Sequence, residues 1–239
     1  MTAPLFRTDP YARSCTAQVC GLTETGAVLV DRAVFYPAGG GQPGDSGVIA
    51  WPGGRAAVID TVKAGDAIAL VLEPGASPPA PGTAITQTLD WQRRHRHMRM
   101  HTALHLLSVV LPLPVTGGAI GADKGRLDFD MPEAPADRDG LEAALNGLVA
   151  RDLPVSESWI TDAELDANPG LVKTMSAQPP RGQGRVRLIA IGEGDERVDL
   201  QPCGGTHVAR TGEIGALRLG KIEKKGRQNR RVTIWLDDA

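Results

Sequence analysis

From Gln92 to Leu111 the chain reads QRRHRHMRMHTALHLLSVVL, a stretch free of glycine and proline in a sequence of 239 residues that holds 29 glycines and 18 prolines. This is the strongest helix in the chain. Met100, Ala103, Leu104, Leu107 and Val110 recur close to a 3.6-residue period and form one apolar face. Pro112 and Pro114 end it.

The sequence on either side has a different texture. Before the helix, AQVCGL, AVLVDR, GVIAW, AAVIDTV and AIALVL are short apolar or alternating runs separated by Gly, Pro, Asp and Thr. That spacing predicts a small β-barrel or sandwich. The Pro-rich EPGASPPAPG, Glu73 to Gly82, is a surface loop late in this unit. After the helix, the pattern predicts a second helix from Asp137 to Arg151 and a strand in LPVSESWI. A short helix follows, opened by the Thr161–Glu164 capping box and stopped by Pro169. GRVRLIAIG, ERVDLQP, ALRLGKIEKKG and QNRRVTIWL then read as antiparallel strands. Helices and strands segregate, so the fold class is α+β. The expected domains are a small β-barrel over residues 1–90 and an α+β domain with an antiparallel sheet over residues 91–239.

Hydrophobic content of 41% and charged content of 23% are those of an ordinary globular protein. A net charge of -2 leaves room for a local basic face. Aromatics at 4% argue against base stacking as the main binding mode. The N-terminus lacks an apolar signal region, and no run approaches the roughly 18 apolar residues of a membrane span. Cys15, Cys20 and Cys203 make no disulfide scaffold. A cytoplasmic protein without a membrane partner is expected.

The chemistry concentrates in two segments. His101 and His105 stand one turn apart on one helix face, a spacing that can grip a metal ion. CGGTH, Cys203 to His207, adds a thiolate and an imidazole, and Gly204 with Gly205 makes it a tight loop. Taken singly, a helical His pair is a weak pattern, and a lone cysteine is more often a small buried hydrophobe. Together the donors form a His, His, Cys, His set that suits zinc. Three of the five histidines fall in these segments. His95 and His97 lie in an Arg-rich stretch and read as a solvated basic face. No Glu separates His101 from His105, so the helical metalloprotease motif is absent.

GGGQPGDS, Gly39 to Ser46, fits the outline of two phosphate loops. Asp45 stands where a P-loop lysine belongs, however, and would repel a phosphate. A strand follows it, so no helix N-terminus meets an anion. A compact turn is expected, packing close to the second domain or to bound RNA, and no nucleotide cofactor.

HTALHLL followed by QPCGGTHVARTGEIG resembles the zinc-dependent editing domain shared by alanyl-tRNA synthetases and free-standing AlaX-type proteins, with a related domain in threonyl-tRNA synthetases. FYPAGGGQPGDSG and IGALRLGKIEKKGRQNRRVTIWL resemble the same family's glycine-rich motif and final strands. The resemblance implies zinc-dependent hydrolysis of Ser-tRNA(Ala), and of Gly-tRNA(Ala), by a free-standing enzyme. It implies zinc held by His101, His105 and Cys203, with His207 either a fourth ligand or an acid/base beside the metal. Gln201, just before the Cys loop, is expected either to orient a water or to be structural. Thr102 and Thr206 flank ligands and are candidates for the substrate site, with helix packing and loop hydrogen bonding as the alternative. Gly39, Gly40 and Gly41 are placed at the substrate or RNA. Arg93 and Arg94, with Arg96 and Arg99, and Lys224, Lys225 and Arg230, with Lys221, Arg227 and Arg231, are the expected RNA contacts. The alternatives are a zinc-stabilised RNA-binding module without catalysis and a zinc hydrolase of another ester.

Overall fold

The computed structural model describes residues 1–175 and 184–237. The chain divides into two compact units, Met1–His95 and Arg96–Ala239.

In the first unit six strands close a barrel: β1 (Ser14–Leu22), β2 (Val28–Val30), β3 (Gly47–Trp51), β4 (Gly54–Ala64), β5 (Ala67–Leu72) and β6 (Ala84–Leu89). Their order is β1-β2-β5-β4-β3-β6, returning to β1, with antiparallel neighbours throughout. Alternation makes the wall: in β6, Ile85, Gln87 and Leu89 are buried while Ala84, Thr86 and Thr88 are exposed. Val19, Val28, Val30, Ile49, Val58, Leu70 and Ile85 fill the interior with Phe35. Gln87 is polar but satisfied, its amide accepting from Val34 N–H at 3.1 Å and donating to Arg32 C=O at 2.8 Å.

The glycine motif is a tight hairpin. Gly39 and Gln42 exchange both backbone hydrogen bonds at 3.0 Å around Gly40 and Gly41, whose φ of 58° and 81° are left-handed. Two consecutive positive φ values are what a two-residue primed turn needs, which explains the glycines. Gly44 is a glycine for a different reason, since a Cβ there would stand 2.2 Å from Thr61 O. Asp45 does not face solvent or any anion. It is 1% exposed, accepts from Tyr36 N–H at 2.6 Å and pairs with Arg94. The expected phosphate repulsion therefore gives way to a buried ion pair.

The long helix α1 (Trp91–Val110) contains the boundary between the units. Asp90 caps it, its carboxylate accepting from Arg93 N–H at 3.2 Å. In the second unit it is followed by β7 (Val115–Ile120), β8 (Lys124–Asp130), α2 (Arg138–Ala150), β9 (Val155–Ile160), α3 (Asp162–Ala167), β10 (Val186–Ile191), β11 (Asp199–Pro202), β12 (Leu217–Leu219) and β13 (Asn229–Leu236). One antiparallel sheet runs β12-β13-β8-β7, with a short Glu223–Lys224 strand also on β13. A second runs β9-β10-β11. β7 and β8 have no counterpart in the sequence reading. Gly117 and Gly118 weaken the strand pattern of VTGGAI, and pairing with β8 overrides that local preference.

α1 lies close to β8 because Gly125 has no side chain. A Cβ there would meet Met100 Sδ at 2.6 Å and Leu104 Cδ1 at 3.1 Å. α2 protects the edge strand β12: Asn146 accepts from Leu217 N–H at 2.9 Å and donates to its carbonyl at 2.7 Å, and Glu142 accepts from Leu219 N–H at 2.6 Å. The Thr161–Glu164 capping box is present at α3.

Asp128 on β8 receives both Arg231, at 2.8 and 2.9 Å, and Arg126, at 2.5 Å. Burial alone would raise its carboxyl, but the two guanidinium groups hold it below the usual range. Stability from a depressed carboxyl is present above its unfolded pKa and lost as pH falls through the folded one. Asp128→Asn is therefore expected to cost about 1 kcal/mol at pH 7. Urea titrations should show the difference from wild type shrinking as the pH drops below about 4.

Candidate metal centre

The helical spacing places His101 and His105 on one face of α1, and the loop after β11 brings Cys203 and His207 to them. One donor atom from each of the four lies within 4.8 Å of all the others. Cys203 Sγ is 3.4 Å from His101 Nε2 and 3.3 Å from His207 Nε2. A tetrahedral zinc with Zn–N of about 2.0 Å and Zn–S of about 2.3 Å separates N from S by about 3.5 Å. The two Cys203 separations are of the size a tetrahedral zinc would set, and His and Cys donors suit it. All three imidazoles are buried, with exposures of 7%, 7% and 4% for His101, His105 and His207.

The electrostatics favour a thiolate. Burial alone would raise the Cys203 thiol, but His101 and His207 beside it pull it well below its ordinary value. Gly205 N–H points at the sulfur from 3.5 Å. Burial, and then His101, depress His207 to about 3, so its ring is neutral. Burial also opposes charge on His105, yet hydrogen bonds with Asp199 and Cys203 lift it to about 9. Asp199 lies well below the carboxylate range because His105 and Lys173 outweigh its burial.

Thr102 is fully buried, and its hydroxyl is engaged. It donates to Met98 C=O at 3.0 Å, so toward His207 Nδ1, at 3.1 Å, it is an acceptor. His207 is thereby held with its proton on Nδ1 and its Nε2 lone pair turned to the cluster. Val208 N–H approaches the same oxygen at 3.3 Å. Thr102 orients the His207 ring; its hydroxyl is not spare for a substrate. Thr206 is also fully buried. The Gln201 amide donates to Asp199 at 2.8 Å, with Ser108 Oγ at 3.4 Å, and so faces the back of His105.

The ligand loop is held by a residue that sequence reasoning missed. Arg187 on β10 donates to the carbonyls of Gly205 at 2.9 Å and Cys203 at 3.2 Å, while Glu157 takes its Nε at 2.6 Å. Asp199 and Lys173 were missed as well. For Asp199 a signal existed: alternate residues of a strand share a face, so Asp199 and Gln201 precede Cys203 on the ligand side.

Several expected RNA contacts are occupied elsewhere. Arg94 is completely buried and donates to Asp45, to Val34 C=O at 2.8 Å and to Pro10 C=O at 3.1 Å. It cannot reach a phosphate. Arg93 donates to Gly44 C=O at 2.6 Å, Arg96 to Ala122 C=O at 3.1 Å and Arg99 to Ile214 C=O at 2.7 and 2.9 Å. His97 is 2% exposed, and His95 stacks on Trp91 at 5.2 Å. The solvated basic face expected at the start of α1 is instead largely a set of clamps on backbone carbonyls. Lys221, Lys224, Lys225 and Arg227 are exposed around the hairpin before β13, with Lys225 paired to Glu223 at 2.7 Å. Arg230 donates to Pro132, Asn229 and Gly226 carbonyls. Among the described residues, no helix is long and apolar enough to cross a membrane.

Residues 186–233 match the family described as the threonyl and alanyl tRNA synthetase second additional domain, and residues 11–93 match tRNA synthetases class II (A). These matches relate the two segments to domains of threonyl, alanyl and class II tRNA synthetases. The chain is 35% identical over 231 residues to the alanine–tRNA ligase of Pyrobaculum arsenaticum, covering 93% of this chain and 25% of that enzyme. It therefore spans a quarter of the length of that ligase. Against the alanyl-tRNA editing protein AlaX-M of Methanosarcina acetivorans the identity is 32% over 249 residues, covering 100% of both chains. The AlaX-M protein of Methanosarcina barkeri gives 32% over 247 residues. The chain belongs to the AlaX-type alanyl-tRNA editing proteins.

Proposed function

We propose that this protein is an editing enzyme that hydrolyses the aminoacyl ester of Ser-tRNA(Ala), and of Gly-tRNA(Ala), with zinc at His101, His105, Cys203 and His207. The observation that carries the proposal is the four-donor cluster, its three imidazoles buried and its donor atoms within 4.8 Å of one another, in a chain that aligns along its whole length with AlaX-M proteins. Bound zinc supplies a Lewis acid that polarises the ester carbonyl or lowers the pKa of a water. The chain's own residues hold the donors in place. Thr102 keeps the His207 proton on Nδ1 and so leaves Nε2 free to serve as the fourth ligand or as a base beside the metal. Arg187 holds the loop that carries the thiolate.

The need for such a site follows from pocket energetics. A synthetase pocket sized for alanine admits glycine and cannot strongly reject serine's added hydroxyl. A second site that hydrogen-bonds that hydroxyl leaves its polar groups unpaired with alanine, and can discriminate by about 10⁴-fold or more.

Four protein donors also favour a second reading, because a closed tetrahedral zinc is the structural kind. That reading is a zinc-stabilised RNA-binding module without catalysis. Incubation with Ser-, Gly- and Ala-tRNA(Ala), with and without a chelator, separates the two. Metal-dependent release of serine with Ala-tRNA(Ala) spared supports editing; intact substrates throughout establish the module.

RNA contact is proposed to be electrostatic, through Lys221, Lys224, Lys225 and Arg227. With even three or four phosphates neutralised, kcat/KM for Ser-tRNA(Ala) should fall by roughly 10²-fold between 50 and 200 mM salt. A flat salt profile refutes the phosphate footprint.

A further inference from the structure

We infer that Asp199 is a positioning residue for the metal centre, holding His105 by Nδ1 so that Nε2 is the atom presented to the ion, with Lys173 securing the carboxylate. This rests on the metal-binding reading above. An imidazole can bind a metal through either nitrogen, and the partner of the other nitrogen decides which.

The geometry behind His105 leaves one arrangement. Its Nδ1 lies 2.9 Å from Asp199 Oδ2 and 3.1 Å from Gln201 Nε2. Gln201 Nε2 is also 2.8 Å from the same carboxylate oxygen. An amide nitrogen is a donor, and an ionised carboxylate is the stronger acceptor, so both His105 Nδ1–H and the Gln201 amide donate to Asp199. Lys173 Nζ occupies the other oxygen, Oδ1, at 2.5 Å. A carboxylate only 3% exposed is thus met by three donors, which is what a buried charge requires.

Lys173 comes from outside the ligand elements. Its carbonyl accepts from Val115 N–H at 3.0 Å, and Met175 N–H donates to Val115 C=O at 2.8 Å, so its backbone is pinned to β7. Asp199 therefore joins a ligand on α1 to three further points: β11, β7 and the segment carrying Lys173. His207 is oriented in the same sense by Thr102, so the outer nitrogens of His105 and His207 are both fixed by side chains.

Asp199→Asn keeps the shape and an acceptor but removes the charge. In chelator competition its zinc affinity should be about 10–100-fold weaker than wild type. Asp128→Asn, which breaks an ion-paired carboxylate elsewhere in the same unit, should bind zinc like wild type. Long-range 1H–15N spectra of zinc-loaded wild type should show His105 protonated at Nδ1 and metallated at Nε2, a readout that stands even if Asp199→Asn fails to fold. Zinc affinity within twofold of wild type in Asp199→Asn, or His105 metallated through Nδ1, overturns the inference. A wild-type protein that takes up no zinc overturns the metal reading, and the inference with it.

Discussion

Cys203→Ala is expected to abolish stoichiometric zinc binding and to lower kcat/KM for Ser-tRNA(Ala) by at least about 10³-fold, beyond the roughly 10–100-fold that residues behind the ligands cost. The sulfur is the one charged donor in the set. Its thiolate character comes from His101 and His207 and not from solvent. Removing it takes the one negative donor away from a divalent ion in a largely buried site, where the uncompensated charge is costly. His101→Ala should act in the same direction, with residual binding because the thiolate remains. Elemental analysis after dialysis measures the metal, and a single-turnover deacylation assay measures the chemistry. Chelation of the wild type should reproduce the activity loss, and added zinc should reverse it. Full activity in a metal-free Cys203→Ala protein would falsify the assignment of the site.

The second large effect is expected far from the metal. Asp45→Ala should destabilise the barrel unit by about 3–5 kcal/mol, since it strands the buried Arg94 guanidinium. Arg94→Leu should cost a similar amount by stranding Asp45. The double variant should lose less than the sum, because no unpaired charge then remains. Urea unfolding of the three variants provides the cycle. Additive losses, or a loss under 1 kcal/mol in Asp45→Ala, would show that the pair does not hold the glycine hairpin to the start of α1.

These two residues also mark where reading the sequence succeeded and where it did not. Ligand types and spacing are local properties: His101 and His105 share a helix face because of the 3.6-residue period, and CGGTH is a loop because of its glycines. The barrel strands were legible for a similar reason, since alternation and turn residues are written within a few positions. The sequence presents Asp45 as a charge facing a would-be phosphate, whereas the structure buries it against Arg94. Its neighbours in sequence are glycines and serine, and its partner Arg94 is 49 residues away. The arginine run of α1 looked like a basic face because charge in a sequence carries no direction. In the structure each of the four guanidinium groups finds backbone carbonyls.

The sequence by itself determined the α+β class, the long helix, the four candidate metal donors and, through its motifs, the editing-protein family. Each is carried by short-range periodicity, residue chemistry or a contiguous motif. Only the tertiary structure decided that Thr102 orients His207, that Asp199 and Lys173 stand behind His105, that Arg187 holds the ligand loop and that Arg94 is buried. Those assignments depend on hydrogen bonds between residues distant in the chain, and a donor's partner is chosen by which groups packing brings within about 3 Å and shields from water.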